Sequence, residues 1–290
     1  MPKKVLHIFI GMILYCIAHP SFALEANDGK IEIGAVLIFR DEAPWLKEWL
    51  EYYKLLGVKH FYFYNHLSQD DYYQELAPYL ASKEAELIQW TYPIQDIGEW
   101  IKVQIAAYND ALDRARGHVK WLCVVDADEF LVPAKEESLT ALLAAFEGDI
   151  KCGGIQARWV NFGTSFVAKI PKDKLMIETL ILNAGGADSL FKSIVRPERV
   201  VRFENPHEAI YKEGYKAIMM DADDIQTNHY WSRDEDYLYN CKVNRRALMG
   251  FPRSACIEYA IHQFNNDNPT FGSKILRFVP ALKKNMGLSK

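Results

Sequence analysis

The stretch Trp121-Leu122-Cys123-Val124-Val125-Asp126-Ala127-Asp128-Glu129-Phe130 decides how the chain is read. Its first five residues form a short, continuous apolar run, the pattern of a strand buried on both faces. The run ends abruptly in three carboxylates within four residues. In an open α/β sheet, ligands bind in the crevice beyond the carboxyl ends of the strands. The acids are therefore delivered to a binding rim. Asp126 and Asp128 can both reach a hard divalent cation, which takes oxygen ligands and shares them with substrate phosphates. An Asp-x-Asp triplet on a solvated loop would carry no such meaning; the preceding strand makes the difference. The pattern points to a metal and a diphosphate.

What precedes this stretch alternates strand and helix. Ile31 to Phe39 reads as a strand. Asp41-Glu42-Ala43-Pro44 opens a helix, with acids and Pro where a first turn favours them. Trp45, Leu46, Trp49, Leu50, Tyr53 and Leu56 give that helix an apolar stripe, and Gly57 ends it. Strands follow over 58–64, 86–90 and 119–125, with helices over 72–82 and 99–116 between them. Such alternation predicts βαβ units and an α/β fold with a mainly parallel central sheet. One rim would then carry Arg40-Asp41-Glu42, the polar loop from Asn65 to Asp70, and Asp126-Ala127-Asp128.

After Pro133 the pattern becomes mixed. A short helix is expected over 138–146, a strand and turn over 152–164, several short strands over 190–230, and a helix over 233–249 opened by Ser232 as N-cap. The sequence has no internal repeat or low-complexity linker. One domain over 24–290 is expected, with a nucleotide-binding half near 31–133, an acceptor half near 134–250 and a helical tail near 251–290.

The chain has 290 residues, half of them hydrophobic, and a net charge of −4. A sizeable core is affordable, and the basic footprint of a nucleic-acid binder is absent. Residues 1–23 stand apart: Lys3-Lys4, an apolar run from Val5 to Ala18, then Ser21-Phe22-Ala23. This is the layout of a signal peptide cleaved after Ala23. An uncleaved signal anchor is the alternative, although its run is short against the roughly 20 residues a spanning helix needs. Export is expected either way, with membrane contact only through this segment if it is uncleaved. Of five cysteines, Cys16 lies in that segment and Cys123 in a core strand. Cys241 and Cys256 could pair in an oxidising compartment.

Taken together, these residues resemble the GT-A nucleotide-diphospho-sugar transferases, in particular glycosyltransferase families 2 and 92. The matching pieces begin with Phe39-Arg40-Asp41-Glu42 after a strand, Asn65-x-x-Ser68-x-Asp70, and Gln104-x-x-x-Tyr108-Asn109 on a helix. Val125-Asp126-Ala127-Asp128-Glu129-Phe130 follows. The second half adds Trp159-x-x-Phe162-Gly163, Lys192-Ser193-Ile194-Val195-Arg196-Pro197, Pro206-His207 and Asn228-His229-Tyr230-Trp231-Ser232. Those families often carry Asn before the Glu of the first motif; here Asp41 stands there and the charge pattern is kept.

The resemblance implies a GT-A fold and a glycosyltransferase. It would move a hexose from a nucleotide-sugar donor, a UDP-sugar, to a glycan or other hydroxyl acceptor, with inversion and with Mn2+ or Mg2+. Asp128 is expected as direct metal ligand. Asp126 would contact the ribose or reach the metal through water. His229 is the first candidate for a further ligand, since imidazole tolerates such ions; the alternative is a structural histidine. His207 is the second candidate, or it lines the acceptor pocket. Arg40, Glu42, Asn65 and Ser68 would hold the nucleoside, against the plainer reading of helix-start charges and caps. Gln104 and Tyr108 share one helix face, which is a donor contact or a packing face. An inverting transferase needs a general base, and Asp188 is favoured over Glu208 and Asp223. Lys192 and Arg196 would steady phosphate or pair with acids, and Trp159 and Phe162 would stack on a sugar or fill the core. Two rivals remain. One is a phosphatase with Asp126 as nucleophile and Asp223-Asp224 as its acid pair. The other is a transferase fold that binds carbohydrate without turnover.

Overall fold

The computed structural model describes residues 29–264 and 269–288. The expected leader, with Cys16, lies outside the described residues. The chain begins with β1 (Ile31–Phe39), α1 (Ala43–Leu55), β2 (His60–Asn65), α2 (Tyr72–Ala81), β3 (Ala85–Gln89), α3 (Ile97–Ala115) and β4 (Val119–Val124). β3, β2, β1 and β4 lie side by side in that order, and each neighbouring pair is parallel.

Period-two burial explains this half. Leu37 and Phe39 of β1, Phe61 and Phe63 of β2, and Trp121 and Cys123 of β4 pack with Leu46, Trp49 and Tyr53 of α1. Val36, Ile38, Tyr62, Tyr64, Leu122 and Val124 turn the other way, onto Ala107, Tyr108, Ala111 and Leu112 of α3. Both sheet faces are covered, which is why these strands read as near-continuous apolar runs. The register sets Phe39 against Asn65 and Val36 against Val124. The segments following β1, β2 and β4 therefore emerge on one rim, as the sequence pattern predicts.

The second half is mixed. It holds β5 (Glu129–Pro133), α4 (Leu139–Ala144), β6 (Cys152–Asn161), α5 (Met176–Thr179), β7 (Leu182–Asn183) and β8 (Phe191–Val195). β9 (Val200–Phe203), β10 (Ala209–Tyr211), β11 (Lys216–Met219) and β12 (Ile225–His229) follow. β8 runs antiparallel to both β4 and β6, while β12 runs parallel to β6 and antiparallel to β5. The order is β3-β2-β1-β4-β8-β6-β12-β5. Thus β4 and β5 lie four places apart although only residues 125–128 join them. Five backbone steps span at most about 18 Å, and four strand spacings of a flat sheet need about 19 Å. The sheet therefore curls around the Asp126–Asp128 turn.

The last helices are α6 (Glu235–Tyr237), a π turn over Leu238–Lys242, α7 (Val243–Leu248), α8 (Arg253–Gln263) and α9 (Val279–Met286). The single helix expected over 233–249 is thus broken, and Ser232 is not its cap. Arg233 sits buried in the left-handed region at φ 50°. Asp234 caps instead, its Oδ1 accepting the Tyr237 N–H at 2.8 Å. Cys123, Cys152, Cys241 and Cys256 are all free thiols, with Cys241 exposed and Cys256 buried, so the 241–256 pairing that the sequence left open is not made. Among the described residues no helix is long and apolar enough to cross a membrane.

Candidate functional site

The acid turn is built from three sides. Glu129 Oε2 accepts the Asp126 N–H at 2.7 Å and closes the turn. From α1, Trp49 Nε1 donates to the Asp126 carbonyl and the Tyr53 hydroxyl to the Glu129 carbonyl, at 3.0 and 3.1 Å. Just past β12, the Tyr230 N–H donates to the Asp128 carbonyl at 2.7 Å.

Asp126 is held by side chains that the helical spacing of α3 places together. Its Oδ1 accepts from the Tyr108 hydroxyl at 2.6 Å and from Gln104 Nε2 at 2.8 Å. Its Oδ2 accepts from Lys192 Nζ at 2.9 Å. Lys192 is fully buried and also lies 3.3 Å from Glu129 Oε2. Burial works to raise the Asp126 pKa, but the Lys192 ammonium and the Tyr108 hydroxyl outweigh it and hold the carboxyl below its usual range. Glu129, with no exposed surface, is pushed the other way by burial. One lysine thus serves an ionised aspartate and a reluctant glutamic acid.

Asp128 has a different neighbourhood. Lys242 Nζ donates to its Oδ2 at 2.7 Å. Burial again opposes ionisation, and Lys242 overrides it, so the carboxyl stays ionised. His229 Nε2 faces the other oxygen, Oδ1, at 3.9 Å. The tautomer of His229 follows from its partners. Asn161 Nδ2 donates to Asp188 Oδ2 at 2.7 Å, which turns Asn161 Oδ1 toward His229 Nδ1 at 3.1 Å. That oxygen can only accept, so Nδ1 carries the hydrogen. Burial pushes the His229 pKa down to about 4, so the ring is neutral and Nε2 presents a lone pair. Two acceptor atoms therefore face each other across 3.9 Å. Metal bonds of about 2.1 Å on each side span up to about 4.2 Å, so this donor pair fits one divalent ion.

The other expected residues fall around this centre. His207 packs edge-on to Trp159, with ring centroids 5.1 Å apart, and its Nδ1–H donates to the Phe191 carbonyl at 2.9 Å. Trp159 also lies against His229 at 4.0 Å. Burial lowers the His207 pKa, and Lys192 adds to this. Asp188 borders a cleft of about 270 Å³ lined by Asn161, Gly185, Gly186 and Gln263. Its carboxylate accepts four hydrogen bonds, from Asn161, Gln263, Ser189 Oγ and the Leu190 N–H.

The first two strand ends are stitched to each other. Ser68 Oγ accepts the Asp41 N–H, Asp41 Oδ1 the Gln69 N–H, and Asp70 Oδ2 the Ala43 N–H. Asn65 accepts the Ser68 N–H and donates to Tyr72 and Gln89. Arg40 lies 3.6 Å from Asp41. Glu42 is buried and gripped by Arg233 and by Arg245 at 3.1 Å, with the Tyr237 hydroxyl at 3.2 Å. Arg233 also donates to the Ala127 carbonyl at 3.3 Å, tying Glu42 to the acid turn. Asp223 and Asp224 pair with Lys274 and Lys135 at the start of β12, whereas His229 is at its end. The acid pair needed for a phosphatase is therefore not beside Asp126.

The sequence pattern assigned no site role to Lys242, Arg233 or Asn161. The available signal was the basic residues following the Asn228-His229-Tyr230 motif; their targets lie 114 and 106 residues back along the chain.

The curled α/β sheet thus presents an Asp-x-Asp turn beside Lys192, Lys242 and a neutral histidine. The chain belongs to glycosyltransferase family 92, whose profile it matches over residues 36–268. It is 29% identical over 221 residues to a family 92 protein of Ricinus communis, covering 72% of this chain and 36% of that one. It is 28% identical over 199 residues to one of Oryza sativa, covering 67% and 32%. The chain thus spans about a third of the length of these relatives. Among solved structures, S. aureus TarS has a TM-score of 0.44 at 11% identity, covering 78% of this chain and 41% of that one. Glucosyl-3-phosphoglycerate synthase of Mycobacterium tuberculosis, solved with Mn2+, UDP and glucosyl-3-phosphoglycerate, has a TM-score of 0.34 at 12% identity, covering 60% and 59%.

Proposed function

We propose that the chain is a divalent-metal-dependent glycosyltransferase that moves a hexose from a UDP-sugar to a glycan or other hydroxyl acceptor, with inversion. The observation that carries this reading is the pair of facing acceptors, Asp128 Oδ1 and His229 Nε2. Two lysines lie beside the acid turn, where a diphosphate would sit. Asp128 and His229 would hold Mn2+ or Mg2+, which supplies Lewis-acid stabilisation of the leaving diphosphate.

The protein's own groups do the rest. Lys192 and Lys242 are fixed cations that offset charge as the diphosphate departs. His207 is the base. Its ring is neutral and its Nδ1–H is committed to the Phe191 carbonyl, so Nε2 is left to take the acceptor hydroxyl proton. The acceptor oxygen then bonds to the anomeric carbon from the face opposite the leaving diphosphate, and configuration inverts. Asp188 is the poorer base. Burial opposes ionisation, but its hydrogen bonds outweigh it and hold its pKa below the usual carboxylate range. Asp188 instead positions His229 through Asn161. The Trp159 Nε1–H is buried without a hydrogen-bond partner among the described residues, and it supplies a donor for a sugar hydroxyl.

The test is calorimetric titration of UDP into protein lacking residues 1–23, with and without Mn2+. Asp128→Ala should abolish the metal-dependent binding. His207→Ala should keep UDP binding and lose transfer. A folded sample that binds no UDP under either condition would overturn the UDP-sugar reading.

A further inference from the structure

A second cluster lies at the strand-start rim, the opposite end of the parallel half from Asp126. His60 opens β2, Glu86 is the second residue of β3, and His118 immediately precedes β4. His60 and Asn65 mark the two ends of β2, about 17 Å apart at 3.3 Å per residue. One nitrogen from each ring and one Glu86 oxygen all lie within 4.8 Å of one another. His60 Nε2 and Glu86 Oε1 are 3.1 Å apart. That is close to the edge of about 3.3 Å between ligands around a tetrahedral ion with bonds of about 2.0 Å. The two imidazoles meet edge-on, with centroids 4.9 Å apart.

Outer partners orient two of the three groups. The Tyr62 hydroxyl lies 3.0 Å from His118 Nδ1. Glu86 Oε2 accepts from Arg114 at 3.3 Å, which leaves Oε1 turned toward His60. Arg114 is itself bound to Asp110 at 2.7 Å, so its charge is balanced within the same network. Metal-binding histidines and carboxylates characteristically have such partners, which fix the ring orientation and the free oxygen.

We propose that His60, Glu86 and His118 form a structural site for a zinc-class transition-metal ion. Two imidazoles and one carboxylate are a donor set that zinc accepts, and a solvent molecule at exposed His118 completes four-coordination. β3 is the edge strand of the sheet. The ion would tie that edge to β2 and to the turn between α3 and β4, three segments far apart in sequence. The site is independent of the nucleotide reading above.

The experiment uses untagged, chelator-stripped protein with Asp128→Ala, which removes the candidate site on the other rim. Zn2+ is titrated calorimetrically and Tm is followed with and without Zn2+. Co2+ serves as a spectroscopic probe. One equivalent of Zn2+, a rise in Tm, and the intense visible bands of four-coordinate Co2+ are expected. Adding His118→Ala should remove all three, and Glu86→Gln should weaken binding at least tenfold. His118 is exposed, so its substitution leaves the core intact. Zn2+ stoichiometry and Tm response that are unchanged by both substitutions would overturn the proposal. The Asp128→Ala background has already lost the candidate site on the other rim, so failure of the nucleotide reading leaves the Zn2+ stoichiometry and the Tm response untouched.

Discussion

Lys242 Nζ lies 2.7 Å from Asp128 Oδ2, while His229 faces the other oxygen of the same carboxylate. The lysine comes from a π turn, a backbone form that recurs at functional sites. A protein cation and the proposed metal ion thus share one acid, one on each oxygen.

Lys242→Ala should therefore separate stability from metal affinity. Removing one partner of a nearly buried pair costs about 3 kcal/mol, seen as a lower urea midpoint. Mn2+ affinity in the absence of nucleotide should rise about tenfold, since about 1.4 kcal/mol of like-charge repulsion is relieved. An unchanged Mn2+ affinity would show that the lysine and the ion do not share Asp128.

Tyr108→Phe removes the 2.6 Å hydrogen bond to Asp126 Oδ1. A hydrogen bond to a charged group contributes about 1.5–3 kcal/mol, and chemical denaturation should report a loss in that range. UDP binding should become more sensitive to acid, because Tyr108 is among the groups that keep Asp126 ionised. A binding profile against pH that matches the wild type would remove Tyr108 from the site.

Glu48 is buried, with its two oxygens accepting the N–H groups of Met176 and Ile177 at 2.9 and 3.0 Å. Burial dominates and pushes its pKa up to about 7 from 4.5. The native state then holds more protons than the unfolded chain between those values. Glu48's stabilising contribution is full below pH 4.5 and is lost as pH rises through 7, by about 3 kcal/mol. The stability difference between wild type and Glu48→Gln should shrink by that order from pH 4.5 to pH 8. A constant difference would mean that Glu48 titrates normally.

The thiols offer a direct check on whether Cys241 and Cys256 stay unpaired. In folded protein lacking residues 1–23, Cys241 should react promptly with a thiol reagent, while buried Cys123, Cys152 and Cys256 should react only on unfolding. A native sample with no reactive thiol would restore the disulfide.

Legibility followed sequence distance. β1 has the bounds its apolar run predicts, and β4 ends at Val124, one residue short of the predicted end and just before the acids. The Gln104 and Tyr108 pair was visible as one helix face, and the structure turns that face onto Asp126. Ser232 looked like a cap because local chemistry allowed it. The buried Arg233, drawn to Glu42 from another strand end, moved the helix start to Asp234.

The sequence by itself determined the parallel half, the rim on which the acids emerge, and the Asp-x-Asp turn. Those features rest on periodicity and on short-range order along one segment. Tertiary structure alone decided what each acid meets: Lys192 and Tyr108 on Asp126, Lys242 and His229 on Asp128, Arg233 and Arg245 on Glu42. A charge can reach any opposite charge that the fold brings near it, and no local pattern records which one. The curl of the sheet around residues 125–128 made those choices.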